Sequence, residues 1–296
     1  MGGGAGNPLI VFPLRLASRA ISTVLKGLGQ ARYWVDYRLA LARHQSRPDD
    51  LFIVSYPKSG TTLLQMLLYQ MTTDGSLEFS HIDQVVPWFE VSILRGEERR
   101  ISALPSPRIF KSHALGGMLP RGSRIIYIAR DARDVAVSAW HHDRLMGGMD
   151  EFQKYVDAFL QGRGGHGSWF KHIRSWWAYR RDKNFLFLTY EEVTRDLAGT
   201  ARRVASFAGY PLREEDLPRI VERCSLAFMK QHSRKFDPRY MQLALEGEFI
   251  RKGAVGEGAR EITPGQVAAF VRKYEELTRD LRVTPDDPLA RLLTRG

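Results

Sequence analysis

The chain has a single cysteine, Cys224, among its 296 residues. No internal disulfide can form, and nothing points to an oxidising compartment. A lone cysteine in an apolar helical setting reads as core rather than nucleophile. Neither CxxC nor HExxH occurs, and the adjacent His141 and His142 point in different directions on a helix, so no metal is expected. No apolar run reaches the roughly 20 residues that a membrane-crossing helix needs. Acidic residues are in deficit: 33 Asp and Glu stand against 44 Lys and Arg, a formal charge of +11. That excess suits an anionic partner, whether nucleic acid, a membrane surface or a phosphorylated small molecule. The pattern GxxxxGK[ST] is also absent, which weakens a kinase or nucleotide-hydrolase reading.

What is present reads as a folded α/β domain. Apolar residues make up 44% and charged residues 26%, too apolar a mix for disorder. Buried strands are expected at 51–56, 108–113, 124–130 and 185–190, and helices at 61–72, 132–146, 168–181 and 198–208. This alternation predicts a single domain over 49–296, with a mostly parallel central sheet flanked by helices. Ligands of such sheets bind at the carboxyl ends of the strands. Residues 1–48 read as an extension: Leu14, Ala17, Ile21, Val24, Leu25 and Leu28 share one helical face, opposite Arg15, Arg19 and Lys26. That face suits packing on the domain, peripheral contact with a membrane, or targeting, and packing is favoured.

The stretch "LFIVSYPKSGTTLLQMLLYQM", residues 51–71, combines an apolar strand, a tight loop and a helix. Pro57 fixes the exit from the strand, and Gly60 lets the backbone turn sharply. Thr61 and Thr62 open a helix whose first amides have no partner within it, and Lys58 adds a full charge beside them. Together they form a cradle for an anion. An ordinary turn capped by Ser59 or Thr61 would explain a hydroxyl, but not Lys58 and Gly60 as well. "GRGGHG" at 162–167 fits the dinucleotide fingerprint G-x-G-x-x-G, yet a helix precedes it and no strand delivers the chain into the turn. It reads as a glycine loop.

The segment "YPKSGTT" after a strand resembles the 5′-phosphosulfate loop of the cytosolic sulfotransferases, which use 3′-phosphoadenosine 5′-phosphosulfate (PAPS) and release PAP. Further segments are similar to that family in order: "VVPWFE" (85–90), "FKSH" (110–113), "RIIYIARDARDVAVSAWHH" (124–142), "GSWFKHIRSWW" (167–177), "FLFLTYEEV" (185–193) and "FIRKGAVGE" (249–257). The resemblance implies a sulfotransferase-like fold, PAPS as donor without a metal, and a cytoplasmic location. It assigns the 5′ end of the donor to Lys58, Ser59, Gly60, Thr61 and Thr62. Arg130 and Ser138 fall to the 3′-phosphate, with Arg251, Lys252 and Gly253 closing over it. A guanidinium grips phosphate in a fork, although Arg130 also has Asp131 and Asp134 at hand for an ion pair. Leu63 and Leu226 stand where the family commonly stacks aromatics on adenine, and Tyr190 is placed to meet the base edge. Gly258 and Ala259 replace an expected tryptophan and lysine, and "AREITPGQVAA" shows no recognisable dimerisation motif.

His113, at the end of "FKSH", is the candidate general base for an acceptor hydroxyl or amine. Lys58 and Lys111 are the candidates to stabilise charge on the departing oxygen. His44, His81, His166 and His232 read as structural. The acceptor is expected to be a small alcohol, phenol or amine, and no nucleic acid is expected. Residues of "VVPWFE", Trp140, Met146 and the stretch 236–250 suit either an apolar acceptor pocket or the core. His142 stands where the family often has an aromatic substrate contact. Two rival readings are a small-molecule kinase with a phosphate loop, and a basic membrane-surface or nucleic-acid binder without chemistry.

Overall fold

A computed structural model describes residues 28–29, 31–237 and 249–293. Four parallel strands form one sheet: β1 (Leu51–Val54), β2 (Ile109–Ser112), β3 (Arg124–Ala129) and β4 (Phe185–Thr189), in the order β2-β1-β3-β4. From β1 the chain crosses to β2 on one side, then returns to β3 on the other. The reversal leaves a crevice at the carboxyl end of β1, the place where such sheets bind ligands. The register pairs Val54 with Ser112 and with Tyr127, so the ends of β1 and β2 lie level.

Both faces of the sheet are covered, which is why the strands are near-continuous apolar runs. Phe52, Val54, Phe110 and Tyr127 enter one core, and Leu51, Ile53, Ile126 and Ile128 the other. A helix over 31–43 (α1) lies against the first core, with Tyr37 buried and its hydroxyl donating to Met118 O at 2.6 Å. Of the basic amphipathic face expected near the N-terminus, only Leu28 falls within the described residues, and it is exposed.

The remaining helices are α2 (Thr61–Thr72), α3 (Phe89–Leu94), α4 (Glu98–Ser102), α5 (Ala132–Leu145), α6 (Phe152–Leu160), α7 (Trp169–Trp177), α8 (Tyr190–Arg195), α9 (Leu197–Ala208), α10 (Leu217–Arg223), α11 (Leu226–Gln231), α12 (Gly258–Glu261), α13 (Pro264–Leu281) and α14 (Ala290–Leu293). Helix α2 is leucine-rich and almost wholly buried, which fixes its N-terminus against the end of β1. Helix α13 begins at a capping box: Thr263 Oγ1 accepts from Gln266 N, and Gln266 Oε1 accepts from Thr263 N. "ITPGQ" is thus a helix start.

Every expected strand ends early, and the helix expected over 168–181 stops at Trp177. The first strand stops at Val54, because Ser55 and Tyr56 already turn toward the loop. The fourth stops at Thr189, whose hydroxyl accepts from Glu192 N at 3.2 Å, so Tyr190 opens a helix. Among the described residues, no helix is long and apolar enough to cross a membrane, and no cluster of His, Cys, Asp and Glu is placed to hold a metal.

Candidate active site

A cavity of about 730 Å³ opens at the carboxyl end of the sheet. It brings together Lys58, Gly60, Thr61, Thr62, Leu63, Lys111, His113, Arg130, Ser138, Tyr190, Leu226, Arg251, Lys252 and Gly253. Ser59 is the exception among the expected site residues. It is fully buried away from the cavity, with an Oγ that has no partner among the described residues.

The loop after β1 is shaped by two residues with positive φ, Lys58 at 70° and Gly60 at 104°. For lysine this conformation costs energy, so the surroundings must impose it. A side chain at position 60 would place its Cβ 2.6 Å from the Tyr190 ring. Gly60 also caps α2 without any side-chain acceptor, which leaves the first-turn amides of the helix free for a ligand. Thr61 Oγ1 instead turns inward to Ser55 Oγ at 2.6 Å. Lys58 Nζ lies 4.2 Å over the ring of Phe249.

His113 is held at three points. Its Nδ1 lies 2.8 Å from the carbonyl oxygen of Ser55. A carbonyl only accepts, so Nδ1 carries the proton and Nε2 is left as the basic nitrogen. Its backbone N donates to Glu90 Oε1 at 2.8 Å, and Ser112 Oγ donates to the same oxygen at 2.8 Å. The Trp88 ring meets its edge at a centroid distance of 5.3 Å. Burial, then the charge of Lys111, holds the imidazole well below its usual pKa, so it is neutral and able to take a proton. Lys111 sits over Trp88 at 4.5 Å, and its own pKa is lowered, chiefly by burial.

Arg130 directly follows β3, with its guanidinium 4.5 Å over the Tyr190 ring. One nitrogen donates to Ala254 O at 2.6 Å and lies 3.7 Å from Asp134, while its buried Nε has no partner. Asp131 is taken by Arg133 at 2.6 Å. Asp134 chiefly pins the late loop, accepting from Gly256 N at 2.8 Å and Gly258 N at 2.7 Å. A side chain at Gly258 would run into the backbone of α5, which explains why no tryptophan occupies that position. Tyr190 donates its hydroxyl to Gly253 O at 3.1 Å, so it faces the late loop rather than offering a free hydroxyl. Arg251 and Lys252 both engage Glu257, Lys252 at 2.6 Å. Arg251, then Lys252, holds the Glu257 carboxyl down at about 2, against the opposing effect of burial.

The residues present fit a ligand with two anionic ends. Lys58, Lys111, Arg130, Arg251 and Lys252 line one cavity. Their crowding shows in Lys58, pushed down to about 7 by burial and then by Lys111, Arg130 and Arg251. An anion would relieve that repulsion, fill the open amides of α2 and partner Arg130 Nε. Leu63 and Leu226 add an apolar wall.

Sequence reasoning missed the groups that hold the site together. Ser55 and Glu90 act through contacts distant in sequence, with a local signal only from the acid in "VVPWFE"; Asp134, expected only as an ion-pair partner of Arg130, also holds the late loop. His81 and His166, expected to be structural, line the cavity. "GRGGHG" does follow a helix, α6, as its context implied. Cys224 is buried, with its thiol pushed up to about 12 by burial.

The sulfotransferase-domain family profile matches residues 48–282. Sulfotransferase 2B1 of Mus musculus is 34% identical over 265 residues, covering 84% of this chain and 78% of its own length. Sulfotransferase 1B1 of Mus musculus is 35% identical over 251 residues, covering 78% of this chain and 83% of its own. Among solved structures, retinol dehydratase in a complex with retinol and PAP superimposes with a TM-score of 0.69 at 26% identity, covering 86% of this chain and 87% of that one. The chain belongs to the sulfotransferase family, enzymes that move a sulfonate group from PAPS to a small acceptor.

Proposed function

We propose that His113 is the general base of this sulfotransferase and that the acceptor is a small, largely apolar compound carrying a hydroxyl or amine. The observation that carries the proposal is the 2.8 Å contact from His113 Nδ1 to Ser55 O, which fixes the tautomer and leaves Nε2 as the proton acceptor in the cavity. PAPS supplies the sulfonate and a phosphate leaving group. Lys58, Gly60, Thr61, Thr62 and the first amides of α2 hold its 5′ end. Arg130 and Ser138, with Arg251, Lys252 and Gly253, hold its 3′-phosphate, and Leu63, Leu226 and Tyr190 flank the base. Ser59 serves the loop's shape, since it is buried behind it. Lys58 and Lys111 supply the positive charge that a departing oxygen needs.

Retinol, named with one relative, is an apolar alcohol, which supports an acceptor of that kind. The cavity walls agree, with Trp88, Leu145, Met146 and Phe249 in the lining. Residues 238–248, part of the stretch expected to shape this pocket, lie outside the described residues. A cytoplasmic place belongs to the same proposal and rests on a single cysteine with no need of disulfides.

The test is thermal stability with PAP against ATP and magnesium, followed by PAPS-dependent turnover of alcohols, phenols and amines read as product mass. PAP should raise the melting temperature and ATP with magnesium should not. His113→Ala should keep the PAP shift and lose transfer by about 100-fold or more. A shift with ATP and magnesium alone would favour a kinase, and retained turnover in His113→Ala would remove the base assignment.

A further inference from the structure

The cavity beyond the donor-binding residues has two properties that bear on the acceptor. The first is charge. Five cations line the cavity, and among its described lining residues Asp83 is the sole carboxylate. Asp83 is already engaged: Oδ1 accepts from Trp88 N at 2.7 Å, and Oδ2 faces Arg100 at 3.4 Å. With Lys58, Arg130, Arg251 and Lys252 taken up by the donor's anions, Lys111 still faces the acceptor, and a protonated amine would meet it with no free carboxylate among these residues.

The second is a pair of idle imidazoles. His142, on α5, packs its ring 5.8 Å from Phe249 and 6.3 Å from His166. Neither histidine makes a hydrogen bond to a described residue, and both line the cavity. Burial, then Lys58, His166 and Lys111, pushes His142 down to about 3, so it is neutral and offers one donor and one acceptor. An apolar wall with a few unused polar groups is the usual way a pocket fixes a ligand's orientation, and His142 is the one seated against Phe249.

We propose that the acceptor is an uncharged alcohol or phenol bearing a second polar group, and that His142 hydrogen-bonds that group while His113 faces the reacting hydroxyl. This rests on the sulfotransfer reading above. It excludes protonated amines as good acceptors and makes His142 a specificity residue.

The experiment uses the full chain and three probes at pH 7.5: naphthalene-2,6-diol, 2-naphthol and 2-naphthalenemethylamine. Binding to the PAP-saturated protein is measured by calorimetry, and PAPS-dependent turnover by product mass. The diol should exceed 2-naphthol about tenfold in affinity, beyond the statistical factor from its two hydroxyls. The amine should fall roughly 100-fold below 2-naphthol, the scale of one like-charge contact at about 6 Å and an effective dielectric near 20. His142→Phe should erase the diol's advantage, and His142→Gln should keep part of it. An amine handled as well as 2-naphthol would overturn the proposal, as would a diol advantage that survives His142→Phe. Failure of all three probes to bind, with PAP binding intact, overturns the acceptor class alone. Failure of PAP to bind overturns the donor reading and this proposal with it.

Discussion

Lys58 titrates in the working range because burial, and then its cationic neighbours, push it down, and that makes the proposed donor binding pH-dependent in a calculable way. In the free protein its ammonium is pushed down to about 7 by burial, Lys111, Arg130 and Arg251. A bound bisphosphate supplies the missing negative charge and returns the lysine toward its ordinary value near 10.4. The pKa in the complex is therefore above that of the free protein. Affinity is full below about pH 7 and is lost as pH rises through that value. With Lys58 fully charged in the complex, PAP affinity falls about 50-fold between pH 7 and 9, or about 2 kcal/mol. The phosphates complete their second ionisation near pH 6 and do not cause this trend. Calorimetry in two buffers of different ionisation enthalpy should show about 0.9 proton taken up per PAP at pH 8. Lys58→Arg, whose guanidinium does not titrate, should reduce the slope to what Lys111 contributes. A slope unchanged in Lys58→Arg, or no proton uptake in the wild type, refutes the reasoning.

Gly60→Ala should lower stability by about 2–3 kcal/mol, and the melting temperature by roughly 3–5 °C, from backbone strain and the collision with Tyr190. PAP binding should weaken in the same protein, read by calorimetry below its melting temperature. Glu257→Gln should move two quantities in opposite directions. Loss of the charge that holds Arg251 and Lys252 should raise PAP affinity by about 3- to 10-fold, the scale of a partly buried ion pair. The folded-state pKa of Glu257, about 2, lies below its ordinary value, so its stabilising effect is present at neutral pH and is lost as pH falls toward 2. The variant should therefore melt lower at pH 7 while binding PAP more tightly.

The parts of the site that could be read from sequence are those whose chemistry is local. Pro57, Lys58, Gly60 and the two threonines declare an anion cradle within a few residues, and the structure places all five around one cavity, with Thr61 Oγ1 turned inward. The sheet was legible because strands buried on both faces are unbroken apolar runs. What escaped depends on distance along the chain. The hold of Ser55 on His113 exists only because β1 and β2 run parallel with Val54 level with Ser112. Asp134 meets Gly256 and Gly258 across more than 120 positions, and no spacing rule marks that contact. The end of β4 was misread because Tyr190 is aromatic and continues the apolar run. Thr189 as a helix cap overrides that preference.

Tyr190 also ties together the two regions proposed to bind anions. Its ring fills the space that a side chain at position 60 would need, its face carries Arg130 at 4.5 Å, and its hydroxyl holds Gly253 O at 3.1 Å. Gly253 has φ of 60°, and a Cβ there would lie 3.1 Å from Leu226 and 3.2 Å from the Tyr190 hydroxyl. Both glycines are therefore fixed by the same aromatic side chain as well as by their own backbone conformation. A shift of the first loop displaces Tyr190, and with it the seat of Arg130 and the anchor of the late loop. The spacing between the two proposed phosphate grips is set by the packing of α8 on the sheet, not by the flexible cations themselves. Selectivity for a donor charged at both ends then follows from the scaffold, because a ligand with one phosphate satisfies one grip and leaves the other cations repelling each other.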